Sequence, residues 1–110
     1  CRSMRTGAAD ASCTVGDDVI INDQRWVDGA LGEPIPIDRF RVHELNHEIG
    51  HWLGQGHFSC QGGPAAVNQQ QFRALHGCTA NEWPLPFEKA MVATRFGLWP
   101  GLDAEDVERF

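Results

Sequence analysis

The stretch that most constrains this chain is His47-Glu48-Ile49-Gly50-His51-Trp52-Leu53-Gly54-Gln55-Gly56-His57. Histidines four residues apart on a helix stand one turn apart on the same face, so both imidazoles can reach one metal ion. Glu48, next to the first of them, is placed to reach a water on that metal without being a ligand. Gly54 permits a sharp change of direction, and the turn brings His57 round as a third ligand. Three protein ligands with a fourth position open are the arrangement of catalytic rather than structural zinc. In a chain of this composition, five specified residues at these offsets arise by chance on the order of once in ten thousand. The leading expectation is a zinc centre on His47, His51 and His57, with Glu48 as general base.

Asp38 fits a helix N-cap, and the helix is predicted to run through Trp52 or Leu53. Val42, Leu45, Ile49, Trp52 and Leu53 fall on one apolar stripe. With Ile49 at its centre and about 100° per residue, His47 and His51 fall near the opposite side, about 40° apart, with Glu48 beside them. This predicts a helix whose stripe is buried in the core and whose histidine face lines a cleft. His43, one turn before His47, reads as a solvated or outer-sphere residue and not a ligand. Glu44 could accept a hydrogen bond from a ligand imidazole but reads as a solvated carboxylate.

With 110 residues, the chain has material for one domain and a modest core. A net charge of −6 disfavours nucleic acid and anionic membrane surfaces as partners. No apolar run is long enough for a membrane span. Beginning at Cys1 without an initiator methionine, the chain reads as a mature product or a fragment. Four cysteines suggest disulfides and an oxidising compartment. Of the three possible connectivities, Cys1–Cys13 with Cys60–Cys78 is favoured because both pairings are local. The second would close a loop just beyond the zinc site, worth about 3 kcal/mol by loop entropy. The alternatives are Cys60 as a fourth ligand that closes the site, and buried reduced thiols.

Elsewhere, residues Cys1 to Gly16 read as a disulfide-tied loop. Val19-Ile20-Ile21 and Gln24-Arg25-Trp26-Val27 read as strands, with a tight turn or bulge at Asn22-Asp23 and Trp26 as a core anchor. Val67 to Leu75 reads as a short helix and His76 as a surface histidine. Phe87 to Phe96 is predicted as an amphipathic helix ended by Gly97, followed by a turn at Trp99-Pro100-Gly101 and an acidic segment capped by Asp103. The fold class expected is α+β, a short sheet or hairpin packed on the zinc-binding helix with disulfide-tied loops.

The eleven-residue motif resembles that of the metzincin clan of zinc peptidases. The resemblance makes His47, His51 and His57 the zinc ligands, Glu48 the base and Gly54 the hinge. A closer likeness runs from Cys1 to Pro84. It rests on Cys13, Asn22, Arg25-Trp26, the zinc helix, Cys60, Gln69-Gln70, Cys78 and Asn81-x-Trp83-Pro84. These residues resemble a bacterial family known only as domain of unknown function 3152, itself regarded as metzincin-like and mostly secreted or anchored outside the membrane. The likeness implies a domain over residues 1–84; the tail after Pro84 lies outside it, and residues 85–110 are expected from their own pattern to form a helical extension packed on the same domain. The likeness also implies a zinc metallopeptidase, secreted or extracytoplasmic, acting on a peptide or protein.

Two departures stand out. Metzincins place a methionine in a turn beneath the zinc, near Asn68 by this likeness, whereas the chain has only Met4 and Met91. Val67 or Phe72 would then supply the floor. There is no tyrosine to steady the transition state, so backbone N–H groups, Asn68 or His76 would be needed instead. The alternative functional readings are a non-catalytic, zinc-stabilised extracellular binding or envelope module, and an inactive fragment.

Overall fold

A computed structural model describes residues 11–32 and 34–97. Among these it is α+β, a two-stranded hairpin with three helices. Strand β1 (Cys13–Val15) pairs antiparallel with β2 (Asp18–Ile20), with Cys13 opposite Ile20 and Val15 opposite Asp18. Gly16, at φ +58°, turns the chain within the two residues between the strands. Strand β1 thus begins inside the stretch expected to be loop. The second expected strand, at Gln24–Val27, is instead part of helix α1 (Asp23–Asp28). Asn22 caps it, its side-chain oxygen accepting from Arg25 N at 2.8 Å, and Gly29 ends it at φ +85°. An Asx cap and a turn residue look alike in sequence, and here the cap prevails. Trp26 is half-buried rather than a core anchor, with the Arg41 guanidinium 5.3 Å over its ring.

Helix α2 (Ile37–Trp52) starts two residues earlier than expected, with Pro36 and not Asp38 at the cap position. Asp38 lies in the first turn, where negative charge suits the helix dipole. The other end is a Schellman motif: Gly54 N donates to His51 O and Gln55 N to Gly50 O, both at 2.9 Å, with Gly54 at φ +96°. This is the turn that the motif glycine was expected to make.

The histidine face lines a cleft as expected, but the apolar stripe is not buried. Leu45, Ile49 and Trp52 are 37%, 44% and 51% exposed, whereas His47 and Glu48 are only 6% and 4% exposed. Val42 and Leu53 are half-buried. The hairpin and the segment around 65–69 cover the polar face, because buried imidazoles and carboxylates need protein partners and those segments provide them.

Between α2 and helix α3 (Pro86–Arg95) the described chain has no regular element beyond an isolated bridge of Pro64 with Thr79. The short helix expected over Val67–Leu75 is a series of turns. Side-chain amides replace the missing ladder. Gln71 donates to Ala66 O (2.9 Å) and Asn81 O (2.7 Å) and accepts from Asn81 N (3.0 Å). Asn81 in turn donates to Ala65 O at 2.9 Å. A Cys60–Cys78 disulfide closes this region, with Cα atoms 5.8 Å apart, so Cys60 is not a metal ligand. On α3, Glu88 and Ala93 are buried while Phe87, Met91 and Phe96 are exposed, again the reverse of the expected apolar face. Gly97 ends the helix at φ +70°. Cys1 of the expected Cys1–Cys13 bridge, Met4, the turn at 99–101 and the segment from 103 lie outside the described residues.

Asn22→Ala tests the cap. We expect a loss of about 1 kcal/mol, read as a lower urea midpoint with unchanged slope.

Candidate metal centre

Helix α2 carries His47 and His51 one turn apart, and the turn at Gly54 returns His57 to them. His51 Nε2 lies 3.1 Å from His47 Nε2 and 3.1 Å from His57 Nε2. One ligand atom from each imidazole falls within 4.8 Å of the others, a group able to hold a metal ion. The Nδ1 atoms decide what those nitrogens carry. His47 Nδ1 sits 2.8 Å from Val67 O, and His51 Nδ1 2.7 Å from Gln55 O. A carbonyl oxygen only accepts, so each Nδ1 holds the proton and each of these Nε2 atoms presents a lone pair. The His47 and His51 lone pairs, turned on one another at 3.1 Å, repel unless a cation lies between them. Nitrogens about 2 Å from a tetrahedral ion stand about 3.3 Å apart, close to the spacing found. The donor set therefore fits zinc.

Electrostatics agree. Burial, with help from the neighbouring histidines, pushes His47 down to about 3, and burial also lowers His57. Both imidazoles are thereby held in the neutral form that binds metal.

Glu48 is buried on the same helix face, and burial raises its pKa above the usual carboxylate range. The Thr14 hydroxyl lies 2.8 Å from Glu48 O and 3.1 Å from its Oε1. One turn earlier, Glu44 accepts a hydrogen bond from Ser12 Oγ, and burial raises its pKa as well. Glu44 is thus neither solvated nor bonded to a ligand imidazole. Two periodicities meet here: Ser12 and Thr14 share one face of an extended segment, and Glu44 and Glu48 share one face of a helix. Sequence reading missed Ser12 and Thr14, although this matching of period two with period four was present to be found.

His43 is also buried and not solvated. Its Nε2–H donates to Val67 O at 3.0 Å, so it shares with His47 a single carbonyl, which has two lone pairs to offer. Burial pushes His43 down to about 4. His76 is exposed and stands apart from the cluster, as expected.

The three histidines, Glu44 and Glu48 line one open cavity of about 540 Å³, whose walls include Arg25, Gln70, Phe72 and Arg73. Asn68, where a methionine floor was in question, lies behind the helix and not in this cavity. It is 1% exposed, its Nδ2 donates to His47 O at 2.9 Å, and its own carbonyl accepts from Phe58 N at 3.0 Å. It therefore braces the backbone of His47. Val67 contributes its carbonyl, and Phe72 lines the cavity.

A family model described as Protein of unknown function (DUF3152) matches residues 1–86. The match takes in the hairpin, the whole motif and the Cys60–Cys78 loop, and it stops at the first residue of α3. No curated protein and no solved structure gives a significant match.

The packing of Asn68 makes Gly50 indispensable, because a Cβ there would lie 2.0 Å from Asn68 Oδ1. Gly50→Ala should lower stability by about 1–3 kcal/mol in spite of alanine's better helix propensity, and weaken metal retention against a chelator. Thermal melts and chelator competition measure the two effects.

Proposed function

This chain belongs to the family described as Protein of unknown function (DUF3152), and we propose that it is a zinc-dependent metallopeptidase of metzincin type. One observation carries the reading: His51 Nε2 lies 3.1 Å from both His47 Nε2 and His57 Nε2, with the opposite nitrogens of His47 and His51 committed to carbonyls, in a cavity that a buried glutamate also lines. His47, His51 and His57 would hold the ion. Zinc, when bound, supplies Lewis acidity and an acidified water.

The remaining chemistry belongs to the chain. Glu48 takes a proton on its carboxylate as water attacks the scissile carbonyl, and delivers it to the leaving nitrogen. Its raised pKa makes it a stronger base than a solvated carboxylate, and Thr14 keeps its carboxylate turned to one side. The open cavity admits an extended peptide, and its mixed walls of Arg25, Gln70, Phe72 and Arg73 offer both charge and apolar surface. The Cys60–Cys78 disulfide supports a secreted or extracytoplasmic setting.

Zinc content and cleavage of a broad peptide library test the reading together. We expect about one zinc per chain and cleavage that a chelator abolishes. Glu48→Gln should keep its zinc and lose about 10²- to 10⁴-fold in turnover. Wild-type turnover in that variant would refute the assigned base. Zinc without cleavage would favour a zinc-stabilised binding module, and no zinc would refute both readings.

A further inference from the structure

We propose that Glu88 on α3 is a positioning residue for the metal centre, its carboxylate holding the peptide whose carbonyl orients His47. The proposal rests on the metal reading above. Glu88 is only 2% exposed, and backbone N–H groups occupy both of its oxygens. Its Oε1 accepts from Val67 N and Leu85 N, each at 2.9 Å, and its Oε2 accepts from Asn68 N at 3.0 Å.

The Asn68 contact matters most. The amide N–H of Asn68 and the carbonyl of Val67 belong to one planar peptide unit, so neither can rotate without the other. Glu88 grips the N–H edge. The C=O edge receives His47 Nδ1–H at 2.8 Å and His43 Nε2–H at 3.0 Å. A carboxylate is thus linked through one peptide to a ligand imidazole. The charged end also polarises the peptide, which makes the Val67 carbonyl a better acceptor and the imidazole a better donor to metal.

A second route leaves the same residue. Gln55 Nε2 donates to the Glu88 backbone carbonyl at 3.1 Å, while the Gln55 carbonyl receives His51 Nδ1–H at 2.7 Å. Helix α3 reaches the third ligand's neighbourhood too. Arg95 fills the space where a side chain at Gly54 would stand, and Phe87 meets Phe58, next to His57, edge to face at 5.2 Å between centroids. Every ligand therefore has its orienting group or adjoining turn in contact with α3. Glu88 itself lies two residues beyond the family match.

The test uses the full chain with Glu88→Gln, Glu88→Asp and Gln55→Ala. Imidazole ¹⁵N shifts of the metal-free proteins report tautomers, and competition titrations with zinc and with cobalt(II), together with the cobalt spectrum, report the site. In the wild type, His47 and His51 should each appear as the Nδ1–H tautomer. Glu88→Gln places an amide NH₂ against a backbone N–H, so His47 should become a tautomer mixture and zinc affinity should fall about 10- to 100-fold. Glu88→Asp should recover part of both. Gln55→Ala should disturb His51 and leave His47 unchanged. An unchanged His47 tautomer with zinc affinity within twofold of wild type in Glu88→Gln would overturn the proposal. If Glu88→Gln does not fold, a wild-type His47 tautomer and wild-type zinc affinity in Glu88→Asp would overturn it. A wild type that binds no metal would refute the metal reading instead, and the nitrogen shifts would still decide whether Glu88 orients His47.

Discussion

Two hydrogen bonds from imidazole to backbone, His47 to Val67 and His51 to Gln55, set the terms for the rest of the molecule. A histidine left free can turn either nitrogen outward and exchange its proton. Committing Nδ1–H to a carbonyl fixes both the ring and the lone pair. Each carbonyl must then be held in place, which requires chain to be brought over the polar face of α2 and tied there. The turns of 53–85, the disulfide and α3 all serve that requirement. The longest described stretch without regular structure consequently holds Asn68 and Gln71 among the most completely buried side chains, and α3 adds Glu88.

The same requirement accounts for the orientation of α2. An amphipathic helix ordinarily turns its apolar stripe inward because hydrocarbon burial is worth about 25 cal/mol per Å². Here the histidine face is flanked by protein and lines the cavity, and Leu45, Ile49 and Trp52 look outward. Burying polar groups is tolerable only where each finds a partner. Ser12 with Glu44, Thr14 with Glu48 and Val67 with His43 and His47 are such partners.

The parts legible in the sequence were those governed by local geometry. The four-residue spacing of His47 and His51, the turn at Gly54, the end of α2 near Trp52, the α3 helix and the Cys60–Cys78 pairing all depend on residues close in sequence. What escaped depended on partners far along the chain. Gln24–Val27 has the β-branched and aromatic content of a strand, yet a single cap at Asn22 makes it helix. The polar run near Asn68 suggested an exposed helix, whereas its amides stand in for a missing β-ladder. Periodicity located both faces of α2 correctly but could not tell which one would be covered, because that depends on the hairpin and on loop 65–69. Glu88 reads as an ordinary first-turn helix carboxylate, and nothing in its neighbourhood announces that it reaches residues twenty positions earlier.

The amide- and carboxylate-rich interior also bears on how the fold answers to temperature. Exposing apolar surface on unfolding raises the heat capacity, and exposing polar surface lowers it. A described core in which Asn68, Gln71 and Glu88 take places that hydrocarbon usually fills, while Ile49 and Trp52 already meet water, reduces the apolar gain and enlarges the polar offset. The curve of stability against temperature is correspondingly flatter than an apolar core of equal size would produce.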